Sequence, residues 1–138
     1  IFLIARRLIS QFGVWNLLFV SIALTGLRWY VMAAFADTFM VIVLSQLIHA
    51  LSFGLTHAVS VHFIHQFLPK AYHSRGQAVY ISVAFGLGGA FGNYMAGQQW
   101  QQGTNAYETF FTAAVFAIVG ALSLLLCSKK DMDESKAV

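Results

Sequence analysis

Residues 38–66 read TFMVIVLSQLIHALSFGLTHAVSVHFIHQ, twenty-nine positions without one Asp, Glu, Lys or Arg. A helix needs ~20 mostly apolar residues to cross a bilayer, and the apolar positions here do not alternate with period two, so a helix is expected rather than a barrel strand. At 1.5 Å per residue the stretch reaches roughly 42 Å. It must therefore tilt, or extend past the bilayer near Phe63 to Gln66. Ser45, His49, Ser52, Thr56 and Ser60 recur at spacings of four, three, four and four. At about 100° per residue they share an arc of roughly 80°. A polar stripe along a membrane helix either lines a cavity or packs on another polar helix. Small Ser and Thr residues suit packing. His49 argues for the cavity, because an imidazole is too bulky for a close helix contact and can carry a proton.

Working outward, three more segments have the same character: about Gly13 to Ala34, Gly76 to Gln98, and Tyr107 to Cys127. Composition agrees. Apolar residues make up 59% of the chain and charged residues 9%, with a mean hydropathy of +0.71, whereas soluble domains carry about 25% charged residues. The expected fold is an all-α integral membrane bundle, with the bilayer as its main partner. The opening Ile1-Phe2-Leu3-Ile4 is apolar and uncapped, as expected of the stub of an earlier helix, and the polar stretch 128–138 reads as a natural tail.

The breaks between segments set the topology. Arg6, Arg7, Lys70, Arg75, Lys129, Lys130 and Lys136 fall in alternate breaks and the tail, while Asp37 and Glu108 lie on the other side. By the positive-inside rule the Arg6–Gln11 break, the Pro69–Arg75 break and the 128–138 tail are expected in the cytoplasm. The net charge of +3 is thereby absorbed by topology. No basic face with interleaved aromatics points to nucleic acid. The single cysteine, Cys127, excludes an internal disulfide and reads as a packing residue. No metal-ligand spacing and no cofactor motif is present. No nucleophile, base and orienter can be assembled, so an enzyme is not expected.

The eighth basic residue, Arg28, stands inside the first segment, where a charge costs ~2.5–3.5 kcal/mol and usually faces a cavity or a partner. Ser21, Thr25 and Arg28 share one face. The alternative is snorkelling to the interface, with Trp29 and Tyr30 as an aromatic belt. Candidate binding residues are therefore Arg28, His49, Thr25, Ser45, Ser52, Thr56 and His57; His62, His65 and His73 read as solvated interface. In the third segment Ala84, Gly88, Gly92 and Ala96 recur every four residues, the small-residue pattern of close helix packing, and Tyr80 and Asn93 are its candidates to reach a cavity. The glycine run does not meet a nucleotide-binding fingerprint. The fourth segment carries phenylalanines and no interior charge, which suits packing with one side to lipid.

Leu47-Ile48-His49-Ala50-Leu51-Ser52-Phe53-Gly54 followed by His57-Ala58 resembles the tenth helix of major facilitator transporters of the phenylpropionate-permease type. Arg75-Gly76-Gln77-Ala78 and the glycines from Gly86 to Gly97 resemble the eleventh, and Leu27-Arg28-Trp29 the end of the ninth. The resemblance implies the end of helix eight and helices nine to twelve of a twelve-helix fold, whose N-terminal half is missing. It also implies alternating access at one central site, import of a small organic acid, sugar or nucleoside with protons, and a bacterial inner (plasma) membrane. In the related lactose-permease group an arginine in helix nine and a histidine and glutamate in helix ten do this work. Arg28 and His49 fall where the first two would, and Ser52 stands in place of the glutamate. Any coupling acid is then expected in the missing half, or His49 itself titrates. Arg28 with the Trp29 and Tyr30 rings leans toward an aromatic carboxylate such as phenylpropionate. Two other readings are a small four-helix exporter working as a dimer, against which the interfacial positions of Asp37 and Glu108 count, and an assembly subunit that moves nothing.

Overall fold

Lipid leaves the backbone no partner but itself, and the chain meets that demand with helices. The computed structural model describes residues 2–134; the expectations placed on Ile1 and Lys136 lie outside them. Helix α1 spans Phe2–Phe35 and α2 spans Phe39–Phe67. Helix α3 (His73–Ile81), a π-helical stretch (Ser82–Leu87) and α4 (Gly88–Trp100) follow one another. Helix α5 is Ala106–Ser123, extended by a 3₁₀ turn over Leu124–Leu126, and α6 is the short Lys129–Glu134. Among the described residues there is no strand.

Helix α1 is two helices joined at Gly13, whose φ of 78° and ψ of 165° fall in a region that essentially only glycine occupies. The stretch Arg6–Gln11, expected as a break, is helical. Its arginines and glutamine are good helix formers, and the chain bends two residues later. Among the described residues, three helical stretches are long and apolar enough to cross a membrane: Val14–Phe35, Phe39–Phe67 and Ala106–Leu126. The Gly76–Gln98 stretch, expected as a single span, is built from α3, the π turn and α4. Both junctions keep right-handed helical backbone, so the three pieces form one continuous rod.

Helix α1 is the hub, packed along most of its length against α2 and α5. Val14, Leu17, Leu18 and Val59 form the buried apolar cluster, with Leu55, Phe63, Leu124 and Met132 packed around it. Elsewhere the usual order is inverted. Ser21, Arg28, Ser45, Ser52 and Thr109 are buried, while Phe39, Leu47, Leu51, Leu122 and Leu126 are exposed. Large apolar side chains outside and polar ones between helices are what lipid as a solvent selects.

Small residues allow close approach at Gly76 and Gly26. A methyl added at Gly76 would lie 2.5 Å from Leu68 Cδ1, and one at Gly26 would lie 2.7 Å from Ile118 Cδ1 and 3.5 Å from the Ala114 carbonyl. These two glycines seat α3 on α2 and α1 on α5. Gly92 has nothing within 4 Å, and the nearest atom to Gly88 is the Val83 carbonyl of its own rod. The rod touches α2 through α3 and α5 through α4. Between the rod and α5, Ala96, Gly88 and Gly92 line a groove of about 500 Å³ with Trp29, Asn93 and Phe110, while Ala84 is exposed. The Ala84–Ala96 stripe therefore makes no tight helix contact among the described residues. Cys127, expected to pack, is exposed, because it follows the final 3₁₀ turn.

The ends of the described chain meet. Asp133 Oδ1 accepts the Trp15 backbone N–H at 3.0 Å, Trp15 Nε1 donates to the Leu124 carbonyl at 3.0 Å, and Lys129 Nζ donates to Asn16 Oδ1 at 3.0 Å. The Asp133 carboxylate thus caps the helix that begins after Gly13, where exposed backbone N–H groups and the helix dipole favour an anion.

Candidate functional site

Two contacts fix how α1 and α2 face each other. The Thr56 hydroxyl lies 2.8 Å from Ser21 Oγ, and the Ser45 hydroxyl lies 3.2 Å from Met32 Sδ. The helices run antiparallel. One turn on from Ser21 and one turn back from Thr56 stand Thr25 and Ser52; two turns along stand Arg28 and His49. The polar stripe of α2 is therefore laid against the polar face of α1, and Arg28 lies within electrostatic reach of His49.

The small polar residues of this seam are satisfied within the chain. Thr25 Oγ1 donates to the Ser21 carbonyl at 3.0 Å, and Ser45 Oγ to the Ile42 carbonyl at 2.7 Å. Ser52 Oγ reaches the His49 carbonyl at 3.4 Å, and Thr56 Oγ1 lies 2.8 Å from the Ser52 carbonyl. Ser45 and Ser52 are almost fully buried. Thr25, Ser45, Ser52 and Thr56, the candidate binding residues whose small hydroxyls also suited packing, stand in the helix-to-helix contact, where a small hydroxyl bonds its own helix and lets the two backbones close in.

Arg28 and His49 differ. Arg28 is 4% exposed, packed between helices. Its guanidinium lies 3.9 Å from the centre of the Trp29 ring, and Trp29 stacks on Phe110 at 5.6 Å. Arg28 Nε and His49 Nδ1 are both buried without a hydrogen-bond partner in the chain. An unsatisfied polar atom costs on the order of 1–3 kcal/mol when buried, and most such groups in folded proteins find a partner. Of the chain's carboxylates, Asp37 follows α1, Glu108 is in the first turn of α5, and the others are in α6; none of them bonds Arg28 Nε. What the arrangement offers is a fixed cation with a planar donor fork, one imidazole nitrogen, and an aromatic wall.

His57 sits two turns beyond His49 on α2, in a cluster of rings. Its Nδ1 is 3.5 Å from Tyr80 Oη, and Phe53 and Phe85 pack around it. Tyr80 thus reaches the same cluster as His57, and Asn93 lines the groove between the rod and α5. His65 and His73 stack at 4.2 Å where α2 turns into α3. Among the described residues no three His, Cys, Asp or Glu side chains gather as a metal site. Sequence reasoning passed over Phe53 and Phe85, which lie among apolar neighbours in the chain and give no local signal. Ser21 was legible only as a member of the Arg28 face.

Residues 1–113 match the family described as "MFS_1 like family". The maltose permease of Geobacillus stearothermophilus is 31% identical over 130 residues, which cover 92% of this chain and 32% of that protein. The chain thus spans about a third of the length of this relative. No solved structure matches it.

Proposed function

The chain belongs to the MFS_1 like family, and on that premise we propose that it is part of a secondary transporter in which Arg28 and His49 hold the solute. Transport and a multi-pass membrane position follow from the family and the apolar helices. Beyond these, the reading takes the chain as helices nine to twelve of a two-half transporter in a bacterial inner membrane, with the 128–138 tail in the cytoplasm and the solute moving by alternating access with protons. The observation that supports the site is the pair of buried, unpartnered atoms, Arg28 Nε and His49 Nδ1, on facing helices.

The solute class follows from what those atoms lack. Arg28 Nε has no hydrogen-bond partner in its own chain. An anionic solute would supply one and accept two parallel hydrogen bonds from the guanidinium, and Trp29 would flank an aromatic ring. An aromatic carboxylate such as phenylpropionate fits that description. A saccharide is the second reading, favoured by the name of the relative, a maltose permease. Its hydroxyls would use the same donors and its ring the same aromatic face.

Uptake of labelled phenylpropionate and of maltose by the complete transporter tests both. Arg28→Lys keeps the charge and loses the fork, so carboxylate affinity falls; Arg28→Gln lowers it further. His49→Gln keeps a donor without titration, so binding survives while the pH dependence of uptake flattens. If Arg28→Gln transports like the parent, the site assignment fails.

A further inference from the structure

We propose that Phe53, His57, Tyr80 and Phe85 form a second solute-binding station, two helical turns from the Arg28–His49 pair, that takes the flat face of the solute's ring during its passage. This rests on the transporter reading above and adds to it a stage that the Arg28–His49 pair does not provide.

The rings form an unbroken series. Along α2, His49, Phe53 and His57 are spaced by four, so they rise along one face. Their ring centres are 5.4 Å apart from His49 to Phe53, and 6.4 Å from Phe53 to His57 with the planes nearly parallel. The rod completes the set from the other side: Tyr80 lies 5.8 Å from His57, and Phe85 lies 5.7 Å from Phe53, 6.1 Å from His57 and 5.8 Å from Tyr80. From His49 to His57 the rise is about 12 Å. Phe53, His57, Ile81 and Phe85 line a shallow, largely open depression of about 300 Å³, and Tyr80 stands outside this lining, against His57. Phe53 and Phe85 are exposed while His57 and Tyr80 are half-buried, so apolar ring surface faces the opening with a polar edge behind it. The Tyr80 Oη to His57 Nδ1 contact, at 3.5 Å, is long enough for a solute hydroxyl or carboxylate to compete for either group.

The backbone supplies an independent observation. Tyr80 and Phe85 are five residues apart, and in an α-helix they would point about 140° away from each other. The stretch Ser82–Leu87 is π-helical, and the Gly88 N–H reaches back to the Val83 carbonyl. In that wider turn, with its i to i+5 bonds, residues five apart come to lie side by side. Phe85 lies inside the π turn and Tyr80 in α3 just before it, and their rings stand 5.8 Å apart. Such turns are rare and gather at functional sites, and this one sits where the rod meets the depression.

The test uses the complete transporter, with labelled phenylpropionate and maltose as probes and uptake measured against solute concentration on either side of the membrane. Phe85→Ala and His57→Ala are each expected to slow translocation about tenfold, the equivalent of one lost ring contact. Half-saturation from the side that loads Arg28 and His49 should change less than about twofold. Phe85→Tyr, which keeps a ring, should restore the rate. Parental rates in Phe85→Ala and His57→Ala overturn the proposal. So does a loss of expression that Phe85→Leu repairs as well as Phe85→Tyr, since the face is then covered by protein that needs only bulk. Arg28→Gln in the same assay separates the two readings: if it abolishes loading while Phe85→Ala is silent, only the second station fails. If the parent takes up neither probe, both readings fall.

Discussion

The cap between Asp133 and the bend at Gly13 predicts a coupling that a double-mutant cycle can measure. Asp133→Ala removes the acceptor for the Trp15 N–H, a bond of 3.0 Å; losing a cap of this kind costs ~1 kcal/mol, with a further few tenths from the lost charge at the helix N-terminus. Gly13→Ala does two things. It places a side chain at φ 78° and ψ 165°, a strain of ~1–3 kcal/mol. It also sets a methyl 2.8 Å from both Asp133 carboxylate oxygens, so the carboxylate must leave and the cap goes with it. Gly13→Ala alone should therefore cost ~2–4 kcal/mol, the sum of strain and cap. The double variant should cost no more than Gly13→Ala, because the cap is already lost, leaving a coupling of ~1 kcal/mol. The assay is thermal unfolding of the purified protein in detergent, followed by tryptophan fluorescence, with Asp133→Asn as a control that keeps an acceptor and lowers the midpoint less than Asp133→Ala. Additive losses, or an Asp133→Ala protein as stable as the parent, would refute the reasoning.

Three further outcomes follow from the packing. A reporter joined after Lys130 should lack periplasmic alkaline-phosphatase activity, as the placement of Lys and Arg in alternate breaks requires; activity there would reverse the topology. Thr56→Val removes the 2.8 Å contact with Ser21 and should lower stability in detergent by about 0.6 kcal/mol, the mean for such bonds between membrane helices, whereas Ser60→Val, outside the seam contacts described, should not. In residues 1–138 expressed alone, Gly26→Leu drives bulk into Ile118 and the Ala114 carbonyl and should cost ~1–3 kcal/mol. Gly92→Leu meets open space and should leave the melting midpoint unchanged; equal losses at the two sites would show that the Gly92 face is packed after all.

The sequence carries the helical class plainly, because apolar runs without charge have few solutions in lipid, and the lone Pro69 lies in a turn. The polar stripe of α2 was equally legible as a stripe. What it faces was not: a period of 3.6 assigns residues to a face but does not name the face opposite, and only Ser21 with Thr56 and Met32 with Ser45 fix the register. Hence the sequence left Ser45, Ser52 and Thr56 open between a cavity and a contact, and the register lays them in a contact. The glycines teach the same lesson. Sequence shows where a Cβ is missing at intervals of four, at Gly88 and Gly92, but the close approaches come where a neighbour arrives, at Gly26 and Gly76. Arg28 stood out because a charge inside an apolar run costs so much that position alone marks it. The π turn left no trace, since SVAFGL contains nothing that an ordinary helix would refuse, and the Asp133 cap joins positions too distant for any local pattern.

That cap also has a timetable. Asp133 and Trp15 are 118 residues apart, and a ribosome adds roughly 5–20 residues per second. The start of the Val14–Phe35 helix is therefore made on the order of ten seconds before its cap exists. Throughout that interval its first backbone N–H groups depend on water at the membrane surface, and the bend at Gly13 is free to choose its angle. A chain stalled or cut short of Asp133 would have all its apolar helices made yet leave the hub helix unfastened at one end. The closing of the clasp is then the moment at which the quality of the assembled bundle can first be felt along its whole length.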